Sequence, residues 1–116
     1  MAKRVPVEWF EQLPCAVTVC DRNYKILYLN ERSAKVNASD GGKTLVGKNL
    51  LDCHPPEARA KLEEVMASGR PNVYTTERKG VRKAIFQGHW KQRGRKAGLI
   101  EITFELPFDA PHFVRT

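Results

Sequence analysis

Cys53 and His54 stand side by side in an Asp-Cys-His-Pro run, and both residue types can do chemistry. A neutral imidazole can ligate haem iron or another metal, and a neighbouring thiol can act as a soft ligand or a redox-active group. The spacing argues for a plainer role. Zinc and iron sites draw on several spaced ligands, and no second Cys or His pair stands near in sequence. The expectation is therefore that Asp52 or His54 caps a helix opened by Pro55, with Cys53 turned into the core; Cys53 and His54 are metal candidates on chemistry alone. His89 is expected on a solvated strand face and His112 in a loose tail. Cys15 and Cys20 lie five apart on one strand, so they point to opposite faces and cannot bridge, which predicts three reduced thiols.

Catalytic constellations are missing from the sequence. There is no Gly-x-Ser-x-Gly elbow, no His-Glu-x-x-His and no carboxylate pair in a recognisable setting. Gly41-Gly42-Lys43-Thr44 imitates the end of a phosphate loop, yet the position that should carry its first glycine is Asn37. No catalytic residue is assigned, and the chain is expected not to be an enzyme.

The elements that would position these residues can be read in order. Residues 1–13 place Val5, Trp9, Phe10 and Leu13 among polar neighbours, which predicts a short amphipathic helix stopped by Pro14. Residues 15–20 and 24–29 are two β-prone runs joined by Asp21-Arg22-Asn23, a hairpin signal, and Asn30 follows as the cap of a short helix. Residues 37–54 read as an ordered loop. Pro55 and Pro56 open a longer helix carrying Ala58, Leu62, Val65 and Met66 at helical spacing, with Glu57–Lys61 and Arg59–Glu63 pairs, and Gly69 ends it. Strands follow at residues 72–78, 82–92 and 97–106, with turns at Lys79-Gly80 and residues 93–96. Ala84, Phe86, Gly88 and Trp90 share one face, as do Ile100, Ile102, Phe104 and Leu106, while Glu101, Thr103 and Glu105 face away. The result is an α+β domain: a five-stranded antiparallel sheet with helices packed on one face, plus a short N-terminal helix.

This order resembles the PAS family. Residues 14–21 look like its first strand with a terminal Asp, residues 24–30 like its second strand ending in Asn, and Leu45-Val46-Gly47-Lys48 like the Gly-Lys step before its longer helix. The run from Gly47 to Pro55 is similar to PAS modules found beside haemerythrin-like domains, which carry a comparable Cys-His-Pro. The resemblance implies a division into an N-terminal helix at 1–13, a PAS-like domain at 14–107 and a tail at 108–116. It also implies a pocket between sheet and helices. The candidate lining is Val17, Val19, Leu29, Val46, Leu50, His54, Leu62, Met66, Phe86, Trp90, Ile100, Ile102 and Phe104, although most of these must pack simply to fold. Gly88, between Phe86 and Trp90, hints at space. Haem or another small ligand is the cofactor class implied, whereas flavin-cysteine photochemistry is not, because Cys53 lacks the Asn-Cys-Arg-Phe-Leu-Gln type motif.

Charge adds a second theme. The 116 residues carry 20 Lys and Arg against 13 Asp and Glu, a net of +7, and no acidic residue stands between Arg78 and Ile100. Such a cluster can neutralise phosphates or an acidic partner, or simply guard sheet edges. No apolar run is long enough to span a membrane, and a cytoplasmic setting is expected. The function expected is a stand-alone sensory domain that binds a small ligand and passes its state to a signalling protein in trans, working as a homodimer. Its rivals are a ligand-free adaptor and, more distantly, a nucleic-acid-binding module using the basic hairpins.

Overall fold

The computed structural model describes residues 7–116, and Val5 of the expected N-terminal helix lies outside them. Within that expected helix, Val7–Phe10 forms one 3-10 turn. Then come strand β1 (Ala16–Asp21), strand β2 (Ile26–Leu29), helix α1 (Glu31–Val36), three 3-10 turns (Ala38–Asp40, Gly42–Leu45 and Leu50–Cys53), helix α2 (Pro56–Ser68) and strands β3 (Asn72–Arg78), β4 (Val81–Gln92) and β5 (Arg95–Glu105). All pairings are antiparallel, in the order β2-β1-β5-β4-β3. The five-stranded α+β sheet expected from the sequence is thus present.

The turns follow from their residues. Lys79-Gly80 and Arg93-Gly94 each place two successive residues at positive φ, the pattern that matches the twist of a two-residue hairpin. The second turn is therefore two residues, not four, and β5 starts earlier than its apolar pattern does. In the β1–β2 hairpin the Asp21 carboxylate accepts from the Asn23 and Lys25 N–H groups. That lock forces the left-handed conformation onto Tyr24, at φ 67°, whose ring packs against the core.

Asn30 joins three segments. Its side chain is fully buried, with 0% exposure. Its Oδ1 accepts from the Ser33 N–H, capping α1, and from the Val17 N–H of β1, each at 2.9 Å. Its Nδ2 donates to the carbonyls of Phe10, at 2.9 Å, and Cys15, at 2.8 Å. Every polar valence of the amide is used.

The core lies between the sheet and the helical side, where Cys20, Ile26, Leu29, Leu45, Leu50, Leu62, Val65, Met66 and Leu99 form one buried cluster. Here the expected face assignment needs correction. Registers Val17↔Ile102 and Phe86↔Ile102 put Val17, Phe86 and Ile102 on one side, whereas Thr18 meets Ser33 of α1 on the other. Val17, Val19, Phe86, Trp90, Ile100, Ile102 and Phe104 therefore face away from the helices. Gln87 and Glu101, expected on the far side, lie on the helix-facing surface, where Gln87 bonds both Asn72 and Glu101. The larger apolar set can occupy the outer face because the N-terminal segment, with Trp9, Phe10 and Leu13, comes down on it.

α2 starts on Pro56 and stops at Gly69, whose N–H reaches the Val65 carbonyl at φ 75°. Neither expected four-apart pair is formed: Lys61 pairs with Glu64, and Arg59 donates to the His54 carbonyl. No helix among the described residues is long and apolar enough to cross a membrane.

Candidate functional site

The expected pocket residues divide into separate groups. Leu29, Leu50, Leu62 and Met66 belong to the packed core, and Val46 is 47% exposed on the loop. Val17, Val19, Trp90, Ile100 and Ile102 instead line an apolar groove of about 390 Å³ on the outer face, with Trp9, Phe10, Leu13, Leu27 and Tyr28 as its other walls. The space read into Gly88 is taken by Phe86: a Cβ on Gly88 would meet the Phe86 ring at 2.8 Å. That glycine accommodates a neighbouring side chain and not a ligand.

His54 does not cap α2. Its Nδ1 bonds the Leu50 carbonyl at 2.8 Å, closing the Leu50–Cys53 turn, while Asn49 caps the start of that turn through the Leu51 N–H. Pro55 precedes α2 with no side-chain cap. Cys53 is exposed instead of turned into the core. Nor is His89 on a solvated face: it lies half-buried on the helix side, its Nε2 bonding the Met66 carbonyl at 3.0 Å. Among the described residues no three His, Cys, Asp or Glu side chains gather as a metal site. The arrangement does not fit haem, since the volume between sheet and α2 is filled by large apolar side chains.

The Cys20 and Cys53 thiols are not poised for redox chemistry. Burial pushes Cys20 up to about 11, and partial burial, reinforced by the charges of Asp40 and Asp52, raises Cys53 as well. A raised thiol is a poor nucleophile at neutral pH. Because the folded protein holds the Cys20 proton more tightly than the unfolded chain, its contribution is complete below about pH 9 and is lost as the pH rises toward 11. Stability is expected to fall by about 2–3 kcal/mol across that window. Urea titrations of the wild type and Cys20→Ala between pH 9 and 10 sample about the first 1 kcal/mol of this fall; a fall of equal size in both proteins would refute it.

One polar cluster fastens the outer face. The Tyr28 hydroxyl donates to Glu11 Oε2, and Lys43 Nζ donates to Glu11 Oε1 at 3.0 Å and to the Leu29 carbonyl at 2.7 Å. The Tyr28 hydrogen bond, then the Lys43 bond, lowers Glu11, while burial and Glu11 raise Tyr28. Phe10 packs edge-on against Tyr28 at 5.1 Å. Sequence reading missed this cluster because its bonds span 14 to 32 residues; only the mixture of Trp, Phe and Glu in residues 8–11 hinted at it.

A family model described as PAS fold matches residues 10–79. The chain belongs to the PAS family. The PAS chain is also 33% identical over 76 residues to the cbb3-type cytochrome c oxidase subunit CcoP of Azospirillum brasilense, an alignment covering 66% of this chain and 22% of that protein. The match thus spans under a quarter of the curated relative. Among solved structures, the VqmA dimer of Vibrio cholerae aligns with a TM-score of 0.67 at 17% identity, covering 90% of this chain and 52% of that one. A sensory box sensor histidine kinase from Vibrio cholerae aligns at 0.60 and 16%, covering 87% and 89% of the two chains. The Aer2 receptor of Vibrio cholerae, a dual PAS-haem oxygen sensor, aligns at 0.60 and 15%, covering 80% and 95%. At these identities the likeness is one of fold, and it is the fold of PAS sensory domains.

Proposed function

We propose that this chain is a cytoplasmic, non-catalytic PAS signalling module that works by self-association through the outer face of its sheet and passes its state to a signalling protein in trans. The observation that carries the reading is the groove: ten side chains converge on it, and two of its members, Trp9 at 59% and Leu27 at 44%, remain exposed. Exposed apolar surface of this kind marks an interaction site. The dimeric state of VqmA, a protein of like fold, supports the same choice. Between a ligand sensor and an adaptor, the filled space between sheet and α2 favours the adaptor. The ligand reading rests on the half-buried Asn72–Gln87–Glu101 row, with Tyr74 near Glu101 at its margin.

Leu27 lies on edge strand β2 and contributes little to the core, so Leu27→Glu tests the interface without emptying it. Sedimentation velocity is expected to show a dimer for the wild type and a monomer for the variant, with unchanged circular dichroism. A wild-type monomer at about 100 μM, far above a dissociation constant near 1 μM, would sink the reading.

A further inference from the structure

We infer that the end of the sheet carrying the β1–β2 and β4–β5 turns binds the phosphate backbone of duplex DNA. Strand register brings the two turns together. Asp21, the last residue of β1, pairs with Gly98, and the β4–β5 ladder runs on beyond it through Lys91↔Lys96 and Gln92↔Arg95 to the Arg93-Gly94 turn. Arg22, Lys25, Lys91, Arg93, Arg95 and Lys96 thus share one end of the molecule. With neighbouring strands about 4.8 Å apart, the two hairpins are centred about 10 Å from each other.

Among the described residues these cations form no ion pair. Of the acids near this end, Asp21 is already engaged by the N–H groups of Asn23 and Lys25, and Glu63 of α2 lies within electrostatic reach of Tyr24 without bonding any of these cations. Among the described residues the ion pairs are Lys43–Glu11 and Lys61–Glu64, neither of which is here. Lys96 donates to the Met66 carbonyl at the end of α2, which leaves Arg22, Lys25, Lys91, Arg93 and Arg95 exposed and unpaired. The other end of β4 differs: Arg78, Lys79 and Lys83 lie around a hollow that also holds Glu77 and Glu105.

Shape and side-chain chemistry select the partner. A two-stranded ribbon ending in a tight turn fits the major groove of B-form DNA, about 12 Å wide, and guanidinium groups match phosphate oxygens. A single strand would call for exposed aromatic faces on which bases stack. Trp90 instead is half-buried, its indole N–H donating to the Cys20 carbonyl at 2.8 Å, and Tyr24 packs on the core. A membrane surface would recruit apolar side chains beside the cations, and residues 91–96 carry none.

Fluorescence anisotropy of the full chain with a labelled duplex of about 20 base pairs, at salt from about 20 to 200 mM, tests the inference. Binding is expected to weaken with salt along a log–log slope of about −4.5, or about 0.9 for each of the five exposed cations. Arg93→Glu with Arg95→Glu is expected to lower affinity at least about tenfold and flatten the slope by about 2. Arg78→Glu with Lys79→Glu makes the same charge change at the other end and is expected to shift affinity less than about threefold. Absence of binding at the lowest salt, or equal losses from the two double variants, would overturn the inference. So would tighter binding to duplex RNA or to phosphatidylserine vesicles than to DNA.

Discussion

Replacing Asn30 by alanine is expected to cost about 4 kcal/mol of folding stability, a large part of the 5–15 kcal/mol that holds a domain of this kind. Four partners lose their bond at once: the N–H groups of Val17 and Ser33 and the carbonyls of Phe10 and Cys15. Loss of a helix cap alone costs about 1 kcal/mol, and each buried polar group left without a partner adds about 1–3. Since Asn30 has no exposure, water cannot step in without opening the structure. Urea denaturation followed by circular dichroism measures the loss. Asn30→Asp separates the donors from the acceptors, because a carboxylate can still accept from Val17 and Ser33 but aims charge at two carbonyl oxygens. Its folded-state pKa must then lie above the ordinary carboxylate value, so its deficit relative to wild type is expected to shrink as the pH falls from 7 toward 4. An alanine deficit under about 1 kcal/mol, or an aspartate deficit independent of pH, would show that these four bonds are not what ties the segments together.

Local chemistry was legible in the sequence; the pairing of distant groups was not. The β3–β4 and β4–β5 turns announce themselves through Gly80 and Gly94, and α2 through Pro56 and Gly69, because each depends on neighbours along the chain. Asn30 was readable as a cap for the same reason. Its bonds to Phe10, Cys15 and Val17 were not, since they span 13 to 20 residues. The sheet faces failed for a different reason. Alternation in β4 and β5 shows which residues share a side, but not which side meets the helices. Phe86, Trp90, Ile100 and Ile102 look like the inner set because they are the bulkier one, yet the inner set is Ile85, Gln87, Leu99 and Glu101, where buried Gln87, at 3% exposure, is satisfied by Asn72 and Glu101. Only the position of the N-terminal segment decides between them, and Pro14 gives no indication of where that segment folds.

The same contacts link the two faces. Lys43 belongs to the loop on the helix side and bonds Glu11 on the outer side, while Asn30 joins α1 to Phe10. A partner that moves the N-terminal segment therefore pulls on α1 and on the loop through groups with fixed geometry. In a module working by self-association, these bonds join the outer face to the helices, and the Glu11–Lys43 pair among them is exposed to salt.

Gly98→Ala is expected to be the second severe substitution, costing at least about 3 kcal/mol. A Cβ at this position would stand 1.9 Å from the Cys20 carbonyl oxygen, 2.8 Å from its carbon and 2.9 Å from the Asp21 carbon. All three atoms are backbone of β1, so no side chain can turn aside. Relief requires separating β1 from β5 where Cys20 pairs with Leu99 and Asp21 with Gly98, and the same movement breaks the bond from the Trp90 indole to the Cys20 carbonyl. Gly94→Ala is the matched control. At φ 77° with no atom near its added Cβ, it isolates the strain of a left-handed alanine, about 1 kcal/mol. Thermal unfolding of the two variants should therefore separate them by well over 5 °C, since about 1 kcal/mol moves the midpoint by 4–8 °C in a domain of this size. Trp90 supplies an independent signal, because loss of its bond to Cys20 in Gly98→Ala should shift its emission while Gly94→Ala leaves it unchanged. Equal midpoints for the two variants would mean that β1 and β5 can part at Gly98 without cost, and that the closeness of the two backbones there is not what seats Trp90 against the floor of the outer groove.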